Sequence, residues 1–443
     1  MNRTFISDTP EFVGQTVRLN GWVNTIRKMG DKLVFIDLRD ATGTVQMVAL
    51  PNHEEAHALA HTVRPEWVLG IKGQVNKRPE KMVNVNTPTG DIEIEILGVE
   101  ILNKAQELPF EKSTELNLDT YLDYLPLTLR TARSRAIFHV QAHIIQAFRN
   151  FLSKEGFTEI QVPKIAGGDA EGGAAAFPIE YFGHTAFLAT SPQLYKQIMV
   201  GVFEKVFATG NIYRAEKHST TRHINEYTSL DLEMGFIKDH ADIMELETRF
   251  LHFLLKRLLE SCAEDFKLLI AELPALPAAI PTMKLREAQE IIKKETGEDC
   301  TNAPDLEPQH ERWLCEYAHK KFASDFIFIT HYPVKKRPFY TYEDENDLGY
   351  TKSFDLLFRG LEITTGGQRI NDHDKLVANI KAWGLDPEKF SYYLQSFKYG
   401  MPPEGGLAIG LERITAKLLG LENIKEATLF PRDLNRIDTL LSE

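Results

Sequence analysis

The chain has 443 residues, of which 43% are hydrophobic and 26% charged, and its formal net charge is −12. This length predicts two or three domains, and the composition excludes a disordered chain because it supplies enough apolar side chains for a core. No run of about 18 apolar residues occurs, which predicts no membrane span. The N-terminus lacks a basic segment followed by an apolar stretch, so we expect no secretory signal and a cytoplasmic protein.

The net negative charge argues against nucleic-acid binding by the chain as a whole. Residues 1–105, however, are close to neutral, with 12 Lys and Arg against 13 Asp and Glu. A local basic face on this N-terminal part therefore stays open, since the local field matters more than the total charge.

The first hundred residues predict a small β-barrel. Strand-like runs lie at 16–23, 33–39, 44–48, 68–75 and 92–97, with a short helix at 53–61. Five strands with one helix between the third and fourth are typical of an OB-fold, which often binds single-stranded nucleic acid, although other small barrels share the pattern. We assign residues 1–104 to this domain.

Residues 105–134 read as a polar, irregular connector, and residues 135–443 as a second domain. A helix is predicted from Ala136 to Ser153, before Gly156. Further along, predicted strands at 186–189, 205–209, 229–237, 354–358 and 361–364 alternate with helices, the last of which covers Leu411–Leu419. Residues 262–325 are the least readable part: a proline-rich loop is followed by two amphipathic helices.

The cysteine spacing argues against a structural metal. The chain contains three cysteines: Cys262, Cys300 and Cys315. They form no CxxC pair and no Cys/His zinc spacing, so we expect reduced thiols. His53, His57 and His61 recur every four residues on a predicted helix, and we interpret them as a solvated face rather than a metal site.

A polar loop between two predicted strands, Tyr213–Glu226, carries an unusual set of charges. A plain hairpin would use Gly, Asn or Pro, which this loop lacks between Arg214 and Ile224. Arg214 and Arg222 suit phosphate oxygens, because guanidinium groups bind them through paired hydrogen bonds. The alternative is a solvated charged hairpin.

Asp355 and Glu362 lie on adjacent predicted strands, and Thr365 follows. Paired carboxylates with a hydroxyl suit Mg²⁺ that carries polyphosphate, although a strand pair with surface acids would look the same. Gly366 and Gly367 permit close backbone approach, and Arg369 adds a positive charge.

Two helix starts complete the set. Gly405–Arg413 runs from a glycine-rich strand into a helix whose first turn carries Arg413. An arginine at a helix start suits an anion or a nucleobase. The segment matches neither a Walker loop nor a dinucleotide fingerprint. Ser191–Lys196 opens another helix, and its polar side chains could line a pocket for a small ligand, although an ordinary capped helix start is the simpler interpretation. Lys335–Arg337 is interpreted as a charged strand end.

Taken together in chain order, these features resemble the class II aminoacyl-tRNA synthetases. Gly156–Pro163, Arg214–Glu226 and Gly405–Arg413 look like the three signature motifs, in the subgroup with an N-terminal OB domain that handles aspartate, asparagine and lysine. The resemblance covers nearly the whole chain. It implies an α+β protein, with an OB-fold anticodon-binding barrel followed by an antiparallel sheet flanked by helices. It also implies a homodimer formed through Gly156–Pro163.

Within the subgroup the chain looks like the aspartyl enzymes with a short, archaeal-type catalytic domain. The implied activity is ATP-dependent activation of L-aspartate and its transfer to tRNA-Asp, with tRNA-Asn left open as a second substrate. An asparaginyl enzyme and an OB-fold RNA-binding protein with an inactive synthetase core are the alternatives. Lys196 argues against the first, and the joint presence of Arg214, Glu362 and Arg413 against the second.

Carried over residue by residue, the resemblance implies the following sites. Catalysis falls to Arg214, Glu362 and Arg413. Aspartate binding is implied for Glu171, Gln193, Lys196, Arg214, Thr365 and Arg369. ATP binding is implied for Arg214, Ala215, Glu216, Arg222, His223, Ile224, Glu362, Gly410, Leu411, Glu412 and Arg413. Mg²⁺ would be held by Asp355, Glu362 and Thr365, and the tRNA anticodon would be read by Arg27, Phe35 and Gln46.

These roles are chemically coherent. Adenylate formation brings a carboxylate to the α-phosphate of ATP, so Arg214 and Mg²⁺ would neutralise converging negative charge. Aspartate and asparagine are nearly isosteric. Lys196 and Arg369 are expected to separate them by charge, because an amide would leave buried cations unpaired.

Overall fold

A computed structural model describes residues 2–85, 87–112, 114–168 and 176–441. The chain divides into two compact units, Met1–Glu115 and Leu116–Glu443. Each helix in the described ranges is too short or too polar to cross a lipid bilayer.

The first unit is a closed five-stranded barrel. Its elements are β1 (Thr16–Met29), β2 (Leu33–Arg39), β3 (Thr44–Ala49), α1 (Glu54–Thr62), β4 (Val68–Lys77) and β5 (Ile92–Asn103). The strands close in the order β1-β2-β3-β5-β4. The predicted OB-fold is confirmed, with all five strands and the intervening helix near their expected positions.

Alternation of apolar and polar side chains builds this barrel. Val17, Leu19, Val34 and Ile36 point inward and are 2% exposed or less, whereas their neighbours on each strand face outward. The turn from β2 to β3 is fixed by Asp40, whose carboxylate accepts hydrogen bonds from the backbone N–H groups of Thr42 and Gly43.

The second unit contains the remaining strands and helices. The strands are β6 (Thr158–Glu159), β7 (Ile165–Ala166), β8 (Pro178–Tyr181), β9 (His184–Leu188), β10 (Lys205–Tyr213), β11 (Glu226–Gly235), β12 (Thr282–Lys284), β13 (Phe326–Thr330), β14 (Ser353–Phe358), β15 (Leu361–Arg369) and β16 (Glu404–Gly410). The helices are α2 (Leu118–Asp123), α3 (Leu125–Thr128), α4 (Ala132–Lys154), α5 (Gln193–Phe203), α6 (His240–Ser261), α7 (Ala263–Leu269), α8 (Leu285–Thr296), α9 (Pro308–Phe322), α10 (His373–Ala382), α11 (Ser391–Lys398) and α12 (Leu411–Leu419).

An eight-stranded sheet in the order β12-β13-β14-β15-β16-β11-β10-β6 organises this unit. Its interior pairs are antiparallel, and only the pairings of β12 with β13 and of β6 with β10 are parallel. Helices α4, α6 and α12 share one hydrophobic core with the sheet. Strand β11 places Leu230 and Leu232 in that core. Because side chains alternate along a strand, the intervening polar residues of β11 face the opposite side.

The predicted irregular connector at 105–134 is helical from Leu118 onward. The Asn117 side chain caps α2 by accepting from Thr120 N at 2.9 Å, and the Thr131 side chain caps α4. The buried Arg436 guanidinium pairs with Asp119 of α2 at 3.3 Å. That contact joins residues 317 apart in the chain, so local sequence patterns could not predict it.

Candidate active site

A cavity of about 290 Å³ opens on the face of the sheet opposite the main core. Strands β10, β11, β14, β15 and β16 and the first turns of α5 and α12 contribute to its walls. Twelve residues predicted from the sequence line it: Gln193, Lys196, Arg214, Glu216, His223, Ile224, Glu362, Thr365, Arg369, Gly410, Glu412 and Arg413. The fold thus brings together side chains that are more than 200 residues apart.

Lys196 forms the centre of a fully buried charge cluster. Its Nζ donates to Asp231 Oδ1 at 3.0 Å and to the backbone oxygen of Leu407 at 3.1 Å, and it lies 3.3 Å from Glu233 Oε2. Lys196 and Glu233 are 1% and 0% exposed. Unpaired charges would be very costly at this depth, so each cation here needs its carboxylate.

Arg369 joins the same cluster from β15. Its Nε donates to Glu233 Oε1 at 2.8 Å, and a terminal nitrogen reaches Gln193 Oε1 at 3.4 Å. Gly406 of β16 crosses directly over Glu233, and any Cβ there would collide with the carboxylate. Glu404 lies fully buried nearby, and burial together with Glu233 raises its pKa well above the usual range. A protonated Glu404 leaves two carboxylates to balance the two cations.

Glu362 lies beside Arg413 at the other end of the cavity. Its Oε1 accepts from the Thr365 hydroxyl at 2.7 Å, and Arg413 donates to its backbone oxygen at 2.9 Å. Burial alone would raise the pKa of Glu362, but Arg413, Thr365 and Arg337 outweigh it and hold the pKa below the ordinary value. Glu362 is therefore ionised at neutral pH.

Asp355 lies directly opposite Thr365 in the pairing of β14 with β15. One of its oxygens accepts from Arg337 at 2.7 Å, and the other is buried and receives no hydrogen bond from the described residues. Burial raises the pKa of Asp355 despite the neighbouring Arg337. The Glu362 carboxylate and the Thr365 hydroxyl line the cavity and offer the oxygen donors that Mg²⁺ prefers, and the Asp355 carboxylate, on the neighbouring strand, adds a buried oxygen.

The loop between β10 and β11 supplies Arg214, Glu216 and His223 to the cavity. Arg214 lies over the Tyr227 ring, 5.9 Å from its centre. Burial and the positive charge of Arg413 lower the pKa of His223, so its imidazole is neutral at pH 7. A neutral imidazole can accept or donate a hydrogen bond without adding charge.

Glu412 faces the cavity from α12, but its carboxylate is already engaged. Both of its oxygens accept from Thr228 N, at 3.0 and 3.2 Å, and burial raises its pKa to about 7. These hydrogen bonds join α12 to β11, which is a structural role.

Four of the predicted site residues that the structure describes in this unit stand apart from the cavity walls. Leu411 is 2% exposed and packs in the main core, so its side chain cannot reach a ligand there. Arg222 pairs instead with Glu311 of α9, whose carboxylate also accepts from Glu362 N at 3.2 Å. Ala215 and Asp355 are absent from the lining of this cavity among the described residues. Glu171 lies outside the described residues.

The acidic side chains at the base of the cavity were not predicted from the sequence. Ser229, Asp231 and Glu233 occupy alternate positions of β11, and the first two line the cavity directly. The signal was present: polar residues at every second position, between buried leucines, mark the polar face of a strand. Lys336 and Arg337 were interpreted as a charged strand end, but both line the cavity, and Arg337 is 9% exposed.

The three residues predicted to read the anticodon share the outer face of the barrel. Arg27 of β1 is paired with Phe35 of β2 across the strands, and its guanidinium donates to Gln46 Oε1 of β3 at 3.0 Å. Asp37 and Glu93 hold Arg27 and Gln46 in place. An exposed arginine, an amide and a half-buried aromatic ring form a suitable surface for stacking and hydrogen bonding to unpaired bases.

Comparisons with known proteins agree with this geometry. Residues 117–434 match the family model for class II tRNA synthetases (D, K and N), and residues 17–102 match the OB-fold nucleic acid binding domain. The chain is 44% identical to the Aspartate--tRNA(Asp/Asn) ligase of Deinococcus radiodurans, over 99% of both chains. It is 45% identical to the protein of the same name from Thermus thermophilus, over 98% of this chain and 99% of that one.

Among solved structures, the asparaginyl-tRNA synthetase of Pyrococcus horikoshii, complexed with asparaginyl-adenylate, superposes with a TM-score of 0.90 at 32% identity, over 99% of both chains. The backbone therefore does not separate enzymes for aspartate from those for asparagine. The predicted family, fold class and enzyme class are confirmed. By its two matched domains and its full-length relatives, this chain belongs to the class II tRNA synthetases of the aspartate, lysine and asparagine group.

Proposed function

We propose that this chain activates L-aspartate with ATP and esterifies it onto tRNA-Asp and tRNA-Asn. The observation that carries the proposal is the joint placement of Lys196 and Arg369 in one cavity with Arg214, Glu362 and Arg413. Lys196 and Arg369 suit an amino acid with a carboxylate side chain, Arg214 and Arg413 suit the phosphates of ATP, and Glu362 suits a cation bound to those phosphates. The names of the relatives from Deinococcus radiodurans and Thermus thermophilus support both tRNA substrates.

When aspartate binds, the buried cations of the pocket would exchange their protein carboxylates for the carboxylate of the substrate. Lys196 and Arg369 are held by Asp231 and Glu233 before substrate arrives. The side-chain carboxylate of aspartate would accept from the two cations, while its ammonium group would pair with the carboxylates and with Gln193. Asparagine would bring the ammonium without the second carboxylate, leaving the cations less well satisfied and binding more weakly.

For adenylate formation, the aspartate α-carboxylate attacks the α-phosphorus and pyrophosphate leaves. Arg214 would hold both anions in line, and Arg413 would bind the departing phosphates. The role of His223 would be to orient the triphosphate through a hydrogen bond. No covalent enzyme intermediate is required, because the carboxylate of the substrate is itself the nucleophile.

Asp355, Glu362 and Thr365 would hold Mg²⁺. The ion, when bound, neutralises polyphosphate charge and favours release of pyrophosphate. Glu362 would be the stronger ligand, since its neighbours keep it ionised, whereas the Asp355 carboxylate is already paired with Arg337.

The remaining assignments concern partners and location. Arg27, Phe35 and Gln46 would read anticodon bases by stacking and hydrogen bonding. A homodimer would form through Gly156–Pro163, which contains β6, an edge strand of the large sheet. A mass measurement by light scattering tests this, and a monomer at micromolar concentration contradicts it. We place the enzyme in the cytoplasm, where its tRNA substrates are used.

The test is aminoacylation with radiolabelled aspartate and, separately, asparagine, on purified tRNA-Asp and tRNA-Asn. We expect aspartate on both tRNAs and no asparagine transfer. Aspartate on tRNA-Asp alone would remove the second tRNA from the proposal. Asparagine transfer would overturn the roles of Lys196 and Arg369 and make the chain an asparaginyl enzyme, as the likeness to the Pyrococcus horikoshii structure allows.

A further inference from the structure

A second cluster of chemically active side chains lies outside the catalytic cavity. His139 and His143 are on α4, and Cys262 is the residue that joins the end of α6 to α7. The ligand atoms of the three residues all lie within 4.8 Å of one another. The chain separates the two histidines from the cysteine by more than 100 residues, so sequence spacing could not reveal this set.

The helix geometry explains how the cluster forms. Residues four apart lie on the same face of a helix, one turn above each other, so both imidazoles project from α4 in the same direction. Their rings meet edge to face, with centres 4.7 Å apart. Helices α6 and α7 pack against α4 within one hydrophobic core, and this packing brings Cys262 to the imidazoles.

Asp265 contacts one of the two histidines, and this contact favours a metal site over a fortuitous cluster of side chains. Its Oδ2 lies 2.6 Å from His139 Nδ1. A carboxylate on one ring nitrogen fixes the tautomer and aims the other nitrogen outward, which is the arrangement found behind many zinc-binding histidines. His139 can then offer Nε2 to an ion.

We propose that His139, His143 and Cys262 bind a divalent transition metal of the zinc class, with Asp265 orienting His139. Nitrogen and sulfur donors select Zn²⁺ or Co²⁺ over Mg²⁺. In a tetrahedral zinc site the ligand atoms are about 3.3–3.6 Å apart, as follows from Zn–N bonds of about 2.0 Å and Zn–S bonds of about 2.3 Å. The ligand atoms lie within 4.8 Å of one another, so their separations would close by at most about 1.5 Å on binding, with water in the fourth position.

The ion would tie the middle of α4 to the junction of α6 and α7. Because α4 immediately precedes the dimer-forming segment proposed above, such a site would stiffen that region without touching the reacting atoms.

The test uses the full-length chain, stripped of metal and of any affinity tag, with excess Mg²⁺ to occupy oxygen sites. Titration with Co²⁺ should give one equivalent of binding, with tetrahedral visible bands and a thiolate-to-cobalt charge-transfer band. Zn²⁺ should displace the cobalt stoichiometrically. Absence of the charge-transfer band in the folded chain would overturn the proposal.

Matched variants locate the site. Cys262→Ala should abolish the charge-transfer band, whereas Cys315→Ala, at another buried cysteine, should leave it unchanged. His143→Ala should weaken binding at least tenfold, and His252→Ala on α6 should not. Circular dichroism confirms that each variant is folded, and the partly exposed His143 makes its variant the safer one if Cys262→Ala unfolds. A band that survives both Cys262→Ala and His143→Ala would place the metal elsewhere and contradict the proposal.

Discussion

The base of the candidate active-site cavity and the outer face of the barrel both carry paired charges, but in opposite environments. Lys196 and Glu233 are 1% and 0% exposed, whereas Arg27 and Asp37 are 58% and 22% exposed. Removing one partner from the buried cluster leaves an uncompensated charge away from water, but water solvates whatever remains on the barrel. The buried cluster in the cavity therefore depends on each of its members, whereas the exposed pair on the barrel does not.

The largest effect is expected from breaking the buried cluster. Arg369→Leu leaves Glu233 without its main partner, and we expect the free energy of unfolding to fall by about 3–5 kcal/mol. Aspartate-dependent pyrophosphate exchange should also be lost. Denaturant unfolding and exchange assays measure the two effects, and Arg27→Leu on the barrel is the matched control. Equal stability losses in both variants would remove the contrast between the two regions.

A cavity residue that acts on the reaction rather than on the fold should separate activity from stability. Arg214→Ala is expected to slow aspartyl-adenylate formation by about 10²–10³-fold, the usual loss when one preorganised donor to a developing charge is removed. Single-turnover quench measurements give the rate. The thermal midpoint should stay near that of the wild type, and a large fall would instead make Arg214 a structural residue.

Buried and exposed carboxylates should also differ in their pH dependence. Glu247 of α6 accepts from the Thr364 hydroxyl at 2.6 Å, and burial raises its pKa to about 8 from the ordinary 4.5. Between pH 4.5 and pH 8, Glu247 keeps its proton in the folded chain but has lost it in the unfolded chain. The free energy of unfolding of the wild type therefore falls as the pH rises through this interval. Below that range both states are protonated, and above it the loss is complete.

Glu247→Gln removes this titration while keeping an acceptor for Thr364. Its stability relative to the wild type should rise by at most about 1.4 kcal/mol per pH unit across the window. Urea unfolding at several pH values measures the difference, with the exposed Glu245→Gln on the same helix as control. A difference that does not change with pH would show that Glu247 is ionised in the folded chain.

A substitution on the outer face of the barrel should change RNA binding and leave the free energy of unfolding unchanged. Phe35→Ala is expected to weaken tRNA binding by about 1–3 kcal/mol, the typical loss of one aromatic stacking partner. Filter binding measures the affinity, and pyrophosphate exchange should be unchanged. Phe5→Ala, at an exposed aromatic of the same unit, serves as the control. Equal losses in the two variants would argue against a defined anticodon face.

The smallest effect should come from an exposed barrel pair. Arg18 and Glu100 form a 2.7 Å ion pair with side chains 42% and 59% exposed. A double-mutant cycle with alanine should give a coupling below about 1 kcal/mol, and it should fade at high salt. A coupling as large as that of the buried cluster would show that exposure does not govern these interactions.

The elements with a strong local signal were predicted well. The alternation in β1 to β5 and the helix Leu411–Leu419 follow from the period of apolar residues alone. The buried strand Phe326–Thr330 was missed, because five consecutive apolar or small residues carry no period. The helical start of the second unit was missed because its anchor, Arg436, lies near the other end of the chain.

The sequence by itself determined the family, the two-domain order and twelve of the residues that line the cavity, because motif residues and strand periods are local properties. Only the tertiary structure decided how those side chains are paired. It placed Asp231 and Glu233 against Lys196 and Arg369, turned Arg222 toward Glu311, and brought Cys262 to two histidines of α4. Such contacts depend on which strands and helices meet, and that follows from burial of the whole core rather than from any one segment.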